Sequence, residues 1–420
     1  MNKLVSLSNF VSYSTERVNK SDVLLENYVT TENLLPDKSG LDQSKKLPAQ
    51  EGNMNKYLRG NILVSNIRPY LKKIWYADKE GGCSSDVLVF NVKDTHNSKF
   101  VYYAMLSDGF FEHMMRGSKG TKMPRGDKRQ ILEFKVPEYD LPVQNKITAV
   151  LSAVDTKIKI NKTISSQLED ITKQLYHYWF VQFDFPMSAS QAAALGKPHL
   201  TGKPYRASGG KMVYNEILKR DIPEGWTDDS LEKLGKIIGG STPSTKVEGH
   251  FNAVGTPWIS PKDLSDNLDN RFITRGALGV TEKGIKAASL KLLPAGTVLM
   301  SSRAPIGYLA VAKNPVTTNQ GFKSVVPNGK FSTDYIYFTL KHFMMLIHAN
   351  ASGTTFKEIS GGTLKAVKIH FPPADLVKEF TKFSSSLSSQ RSVLEQQNQE
   401  LTQLRDWLLP MLMNGQVTVA

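Results

Sequence analysis

The sequence predicts an α+β fold in which two tandem α/β domains, related by a pseudo-twofold repeat, are separated by two long antiparallel coiled-coil helices. Three observations predict it. The chain has 420 residues, beyond the ~250–300 at which single hydrophobic cores stop growing, so two or three domains are expected. Four short motifs in the first half return in the same order in the second. Each half then ends in a helical pattern of about 35 residues, far longer than an average globular helix.

The repeats define residues 1–142 and 222–373 as equivalent domains. Lys3–Val11 (KLVSLSNFV) recurs as Ser230–Ile238 (SLEKLGKII), pairing Leu4, Leu7 and Phe10 with Leu231, Leu234 and Ile237. Tyr28–Leu34 (YVTTENL) matches Trp258–Leu264 (WISPKDL), and both leading aromatics are assigned to domain cores. Arg59–Pro69 (RGNILVSNIRP) matches Pro294–Pro305 (PAGTVLMSSRAP), each a turn and a strand leading to a loop that presents Arg68 or Arg303. Gly120–Arg125 (GTKMPR) matches Gly353–Glu358 (GTTFKE), each followed by an apolar strand and a proline.

Residues 143–183 and 374–413 form the two spacer helices. In the second, Phe380, Leu387, Leu394, Leu401 and Leu408 fall seven apart, with Phe383, Leu404 and Met411 three further on, which is a heptad seam. An offset of 233 residues places Ile147, Val154, Asn161, Leu168 and Leu175 on the first helix, flanked by Val150, Leu151, Ile164, Ile171 and Tyr178. Asn161 and the Gln390/Gln397 pair interrupt the stripe with polar groups that commonly set register. A twofold perpendicular to the pair makes it antiparallel, and about 35 residues at 1.5 Å each give a rod of ~50 Å. Residues 184–221, rich in Gly, Ser, Ala and Pro, read as a linker laid over the surface, and 414–420 as a tail.

A charge of +14, from 53 Lys and Arg against 39 Asp and Glu, favours a polyanionic partner, nucleic acid first, and a rod of that length suits two domains on one face of double-stranded DNA. No apolar run reaches the ~18–20 residues of a membrane span, and no cleavable leader is recognisable, so a cytoplasmic location is expected. One cysteine and eight scattered histidines give no framework for a disulfide or a structural metal. Arg116, Lys119, Lys122, Arg125 and Lys128 recur every third residue among glycines, with Arg129 beside them, as a phosphate-binding loop would require. Ser352, Gly353, Thr354, Thr355 and Lys357 occupy the matching place in the second half. Arg68 with Lys72 and Lys73, and Arg303 with Thr317, Asn319 and Gln320, are the next candidates, since Arg can fork onto guanine and Asn or Gln onto adenine.

Signatures of chemistry are missing from the sequence. Gly239–Lys246 lacks Walker A spacing, no nucleophile motif is present, and Asp127, Glu133 and Lys135 only loosely resemble a nuclease metal site. Asn314-Pro315-Val316 and Phe371-Pro372-Pro373-Ala374 fail the adenine-methyltransferase pattern. The chain reads as a binding protein with neither a catalytic residue nor a cofactor or metal of its own; a coiled-coil scaffold or a stand-alone DNA-acting enzyme are the rival readings.

Ile222–Trp226 (IPEGW), Gly239–Ser244 (GGSTPS), Thr256–Leu264, Ala295–Gly307, Thr318–Phe322 (TNQGF) and Ser352–Ser360 (SGTTFKEIS) together resemble the specificity subunit of type I restriction-modification enzymes. The stretches Tyr178–Pro186 and Gly202–Trp226 extend the resemblance over nearly the whole chain. In the first half Gly82–Phe90 and Gly120–Arg125 depart from the pattern. The resemblance implies two target-recognition domains reading the parts of a split, asymmetric DNA sequence, with the helices as a ruler between them. It also implies recruitment of two methyltransferase subunits using S-adenosylmethionine and two restriction/translocase subunits using ATP and Mg²⁺. By that likeness the helix pair forms part of the methyltransferase docking surface.

Overall fold

A computed structural model describes residues 3–303, 305–353 and 357–419. The chain divides into two compact units, one formed by Met1–Lys159 with Gln399–Ala420 and the other by Ile160–Asn398. Each unit therefore holds one α/β domain and a portion of both long helices, which run over Leu141–Tyr176 and Ala374–Met413.

The first unit is built on an antiparallel sheet in the order Val11–Tyr13, Val87–Val92, Ile62–Ser65, Ile74–Tyr76. Ile62, Leu63, Val64 and Val87 to Phe90 are buried on both faces, which explains why these strands read as continuous apolar runs instead of alternating ones. Helices Ser98–Met105, Asp108–Arg116 and Lys128–Leu132 cover one face, with Phe100, Phe110, Phe111, Met114 and Ile131 packed inward. Asn97 and Asp127 begin two of them by accepting hydrogen bonds from the backbone N–H groups of Phe100 and of Arg129 and Gln130.

The second unit repeats the plan. Its sheet runs Gly235–Gly239, Lys323–Pro327, Val298–Ser302, Ile306–Ala312, with Phe272–Ile273 added in parallel at the edge. Thr333–His342, Met344–Ala349 and Gly361–Ala366 take the places of the three helices, two of them capped by Ser332 and Ser360. A two-stranded ladder joins the start and end of each domain: Leu4–Ser6 with Lys135–Pro137, and Thr227–Ser230 with Lys368–Phe371. These ladders correct the first sequence match. Leu7 N–H donates to Phe134 O as Leu231 N–H donates to Val367 O, both at 2.8 Å, so Leu7 corresponds to Leu231 and Leu4 precedes the matched turn.

A small sheet carries the difference between the halves. Tyr28–Val29 pairs in parallel with Gly81–Cys83, and Thr256–Ile259 with Thr317–Thr318. The outer strands attach to Gly81–Cys83 in the first unit but to Thr256–Ile259 in the second.

The long helices are antiparallel within each unit. In the second, Asn161 Nδ2 donates to Gln397 Oε1 (3.2 Å), Arg391 meets Glu169, and Tyr176 packs on Phe380, so partners descend on one helix as they ascend on the other. In the first, Arg405 meets Asp155 at 3.1 Å and Tyr139 Oη donates to Leu412 O. The seven-residue row holds: Ile147, Leu168 and Phe380 are buried, and Val154, Leu175, Leu387, Leu394, Leu401 and Leu408 partly so. Its companion row lies four residues on, not three. It comprises Leu151, Ser165 and Thr172 on the first helix, Trp179 in the wider helical turn His177–Val181 that follows, and Ser384, Arg391, Asn398 and Leu412 on the second helix, all buried. Ile171 (51% exposed), Leu404 (43% exposed) and Phe383 instead face outward. The true seam is largely polar there, so apolar periodicity selected the neighbouring exposed stripe.

Residues 184–221 lie over the surface of the second unit, mostly exposed, and are anchored to its core by Phe185, Met187, Ala192 and Tyr205. Phe183, Phe185, Met187, Tyr205 and Trp226 are buried in the core of the second unit, with Phe185 stacked on Tyr205 at 4.6 Å between centroids. A capped helix, Ala189–Ala194, and a hairpin of Met212–Asn215 against Arg220–Pro223 complete the segment. A few aromatics spaced among glycines and lysines supply this core.

Candidate nucleic-acid interface

Both units present a short hairpin on the end of a framework strand. In the first, Lys119 and Arg125 exchange two backbone hydrogen bonds (2.9 and 3.0 Å), and Gly126 N–H donates to Asn66 O. In the second, Ser352 and Glu358 exchange two (3.1 and 2.9 Å), and Ile359 N–H donates to Ser302 O. Gly120 and Gly353 open the two turns at φ +94° and +113°, which only glycine adopts without strain. These contacts set Arg125 opposite Glu358 and make Ile67, not Arg68, the counterpart of Arg303.

Each hairpin root carries an ion pair of opposite polarity. Arg125 of the first hairpin lies 3.0 Å from Asp86, whose carbonyl accepts from Asn66 N–H. In the second the carboxylate is on the hairpin: Glu358 lies 3.9 Å from Arg303, and the position of Asp86 is taken by Gly321, whose carbonyl accepts from Ser302 N–H. Both pairs are partly exposed and contribute little to stability, leaving the guanidinium groups oriented but reachable.

Arg116, Lys119, Lys122, Lys128 and Arg129 are exposed around the first hairpin. Arg68 is exposed too, in the left-handed region at φ +52°, with its N–H bonded to Pro124 O. Lys72 and Lys73 are engaged elsewhere: Lys72 shares Asp108 with Lys38, and Lys73 Nζ donates to Thr31 O at 2.5 Å. Burial lowers the Lys73 pKa, with Arg68 adding to the effect and Glu32 opposing it. Asp108 is held below the ordinary carboxylate range, mainly by hydrogen bonds from Lys38 and Lys72. Tyr70 and Met123 stand exposed in the same loops and escaped sequence reasoning, which had read these stretches for charge alone.

In the second unit, Lys357 is exposed, while Thr354 and Thr355 lie outside the described residues. Asn319 accepts from Gly321 N–H at 2.8 Å, and Gln320 Oε1 accepts from Thr242 Oγ1. Ser241 N–H donates to Thr318 O and Arg303 bridges to Glu358, so the segment after Gly239, the Asn319–Gly321 loop, Arg303 and the root of the hairpin adjoin one another. Thr317 is buried, its hydroxyl donating to Pro257 O, and Tyr28 and Trp258 are core residues.

Asp127 caps a helix, and those backbone hydrogen bonds keep its carboxyl below the ordinary value. No group of three or more metal-ligating side chains occurs among the described residues. Nor is any described helix long and apolar enough to cross a membrane.

The chain is thus a duplicated α/β framework with one hairpin patch per copy and a portion of the helix pair in each unit. The chain belongs to the type I restriction modification DNA specificity domain family, whose model matches residues 11–170 and 223–403. It is 26% identical to the type I restriction enzyme HindI specificity subunit of Haemophilus influenzae, over 95% of this chain and 94% of that one. A match to the MjaIX specificity subunit of Methanocaldococcus jannaschii is 38% identical but spans only 45% of either chain. The crystal structure of the type I S subunit from M. genitalium shares the fold, with a TM-score of 0.58 at 15% identity over 98% of this chain and 96% of that one.

Proposed function

We propose that this chain is the sequence-reading specificity subunit of a type I restriction-modification complex, acting on double-stranded DNA in the cytoplasm. The observation that carries this reading is the hairpin patch, which recurs at the same framework position in both units with different side chains. A duplicated scaffold carrying unlike contacts suits two unlike half-sites, hence a split, asymmetric target with the helix pair fixing the gap. In the first patch Arg68, Arg116, Lys119, Lys122, Arg125, Lys128 and Arg129 hold phosphates or guanine edges, with Lys72 and Lys73 behind them. In the second Arg303, Asn319, Gln320, Ser352, Thr354, Thr355 and Lys357 do so with less charge.

Catalysis belongs to the partners: two methyltransferase subunits with S-adenosylmethionine, and two ATP-driven, Mg²⁺-dependent restriction subunits. Ile171, Tyr178 and Phe383 line a shallow apolar groove on the second unit and supply a docking face for a methyltransferase. Sequencing of modified bases in cells co-expressing the chain with its methyltransferase tests the assignment. Two unequal half-sites at a fixed gap are expected, and a continuous or palindromic motif would overturn it.

A further inference from the structure

The largest fully buried side chain among the described residues is a cation. Arg271 is 1% exposed and stands just ahead of the short edge strand Phe272–Ile273, in a stretch that carries no sequence motif. Its guanidinium lies over the rings of Tyr337 and Phe338, with the central carbon 4.4 and 4.7 Å from their centroids. Nη1 donates to Ser388 Oγ (2.8 Å) and Nη2 lies 3.2 Å from Asp334, whose carboxylate also accepts from Ser388 Oγ.

The backbone around it is held as well. Glu395, on the second long helix, accepts from the N–H groups of both Arg271 and Phe272 through its two carboxylate oxygens, at 3.0 and 2.9 Å. Arg391, one turn earlier, donates to Glu395 at 2.6 Å and lies 2.7 Å from Glu169 on the first long helix. Lys341 of the domain meets the same Glu169 at 2.9 Å. Burial alone would raise the Glu169 pKa; the surrounding Arg271, Arg391 and Lys341 outweigh it and leave the carboxyl below its ordinary value. One cluster of hydrogen bonds and ion pairs thus ties the domain's edge strand and its helix Thr333–His342 to both long helices; Arg271 Nε and Nη2, Arg391 Nη1 and Glu169 Oε2 make no hydrogen bond among the described residues and are held there by charge.

A buried ion cluster adds little net stability, since desolvation offsets the attraction, but it is directional and tolerates few geometries. Apolar packing of Tyr176 on Tyr335, Phe338 and Phe380 also holds the domain to the helices, but that attraction is not directional. We propose that the Arg271 cluster is a positioning device, fixing the second recognition domain on the helix pair and thereby setting the gap between half-sites that the chain accepts. Its residues touch no DNA; they act through the orientation of the patch at Arg303 and Glu358. The corresponding tie in the first unit is simpler, with Arg405 on Asp155 and Tyr103 donating to the same carboxylate.

The proposal rests on the split-site reading, and one experiment separates the two. The full chain, co-expressed with its methyltransferase, is assayed on duplexes carrying both half-sites at the native gap and at gaps one base pair shorter and longer. Arg271→Met preserves volume between the two rings and leaves each carboxylate another partner, Ser388 for Asp334 and Arg391 with Lys341 for Glu169. Ser388→Ala and Glu395→Gln are milder cuts. The wild type is expected to prefer its own gap by at least about tenfold, in line with the cost of mismatching a specific site, and the variants by less than about threefold, with both half-sites still required. A variant that methylates more slowly but keeps the full gap preference overturns the proposal, because a merely structural role lowers rate and melting temperature without relaxing spacing. If Arg271→Met yields no soluble complex, Ser388→Ala and Glu395→Gln are judged by the same criterion. A wild type with no split target refutes the function itself, whatever the variants do.

Discussion

Replacing Lys119 and Lys122 by Ala tests whether the first hairpin binds phosphates. Both side chains are exposed, and among the described residues only Asp127 acts electrostatically on Lys119, without a close ion pair, whereas Arg125 next to them is partly neutralised by Asp86. Each phosphate contact contributes ~0.9 to the slope of log K against log salt, so losing two lowers the slope by about 1.8. At ~0.15 M salt each contact accounts for about 0.7 log units, so the double variant binds roughly thirtyfold more weakly. Fluorescence anisotropy with a labelled duplex over ~50–200 mM salt measures both quantities. Lys357→Ala in the second unit removes a single contact, for a loss of about fivefold. An unchanged slope refutes the phosphate role, and a loss confined to one target sequence assigns these lysines to base reading instead.

Trp226→Ala empties a pocket between Phe183, Phe185 and His370 and costs ~3–5 kcal/mol of the second unit's stability in urea unfolding. His370 donates through Nε2 to Phe180 O, and burial pulls its pKa down to about 4. Unfolded, the ring binds its proton near pH ~6.5, so between these values the unfolded chain holds more protons. Stability is therefore full above pH ~6.5 and declines by up to roughly 3 kcal/mol as pH falls toward 4, a loss that His370→Gln should reduce in urea midpoints at pH 7 and 5. Burial also pushes the Cys83 thiol up to about 12, so iodoacetamide at pH 8 should leave the native protein unlabelled and modify it only in denaturant. Gly81→Ala drives a Cβ into the Asn27 carbonyl oxygen and should destabilise the first unit, measured by its melting temperature.

The duplication was legible because its anchors are chemically narrow. Gly120 and Gly353 must adopt positive φ, and the buried runs Ile62–Ser65 and Val298–Ser302 admit only apolar or small residues. The seven-residue row from Phe380 to Leu408 survived for the same reason. Its companion did not, since Ser384, Arg391 and Asn398 are polar residues that become buried only against the partner helix and the domain. No periodicity of hydrophobicity shows them. Arg271 was hidden for a related reason: a lone arginine among Asn and Phe reads as surface until Tyr337, Asp334 and Glu395 arrive from distant parts of the chain. The register slip at Leu4 arose where two leucines alone guided the match, and that at Arg68 where a shared arginine outweighed Gly60, Ser65 and Pro69, which align with Gly296, Ser301 and Pro305 and set Ile67 opposite Arg303.

The reversed polarity of the hairpin roots bears on attempts to shuffle specificity between the two halves. Grafting Lys119–Arg125 onto the second unit would place one guanidinium against another, Arg125 facing Arg303. The reciprocal graft would confront Asp86 with Glu358. A viable chimaera must therefore carry the hairpin together with its opposite charge, residue 86 in one case and 303 in the other, so the smallest exchangeable cassette is two segments far apart in sequence.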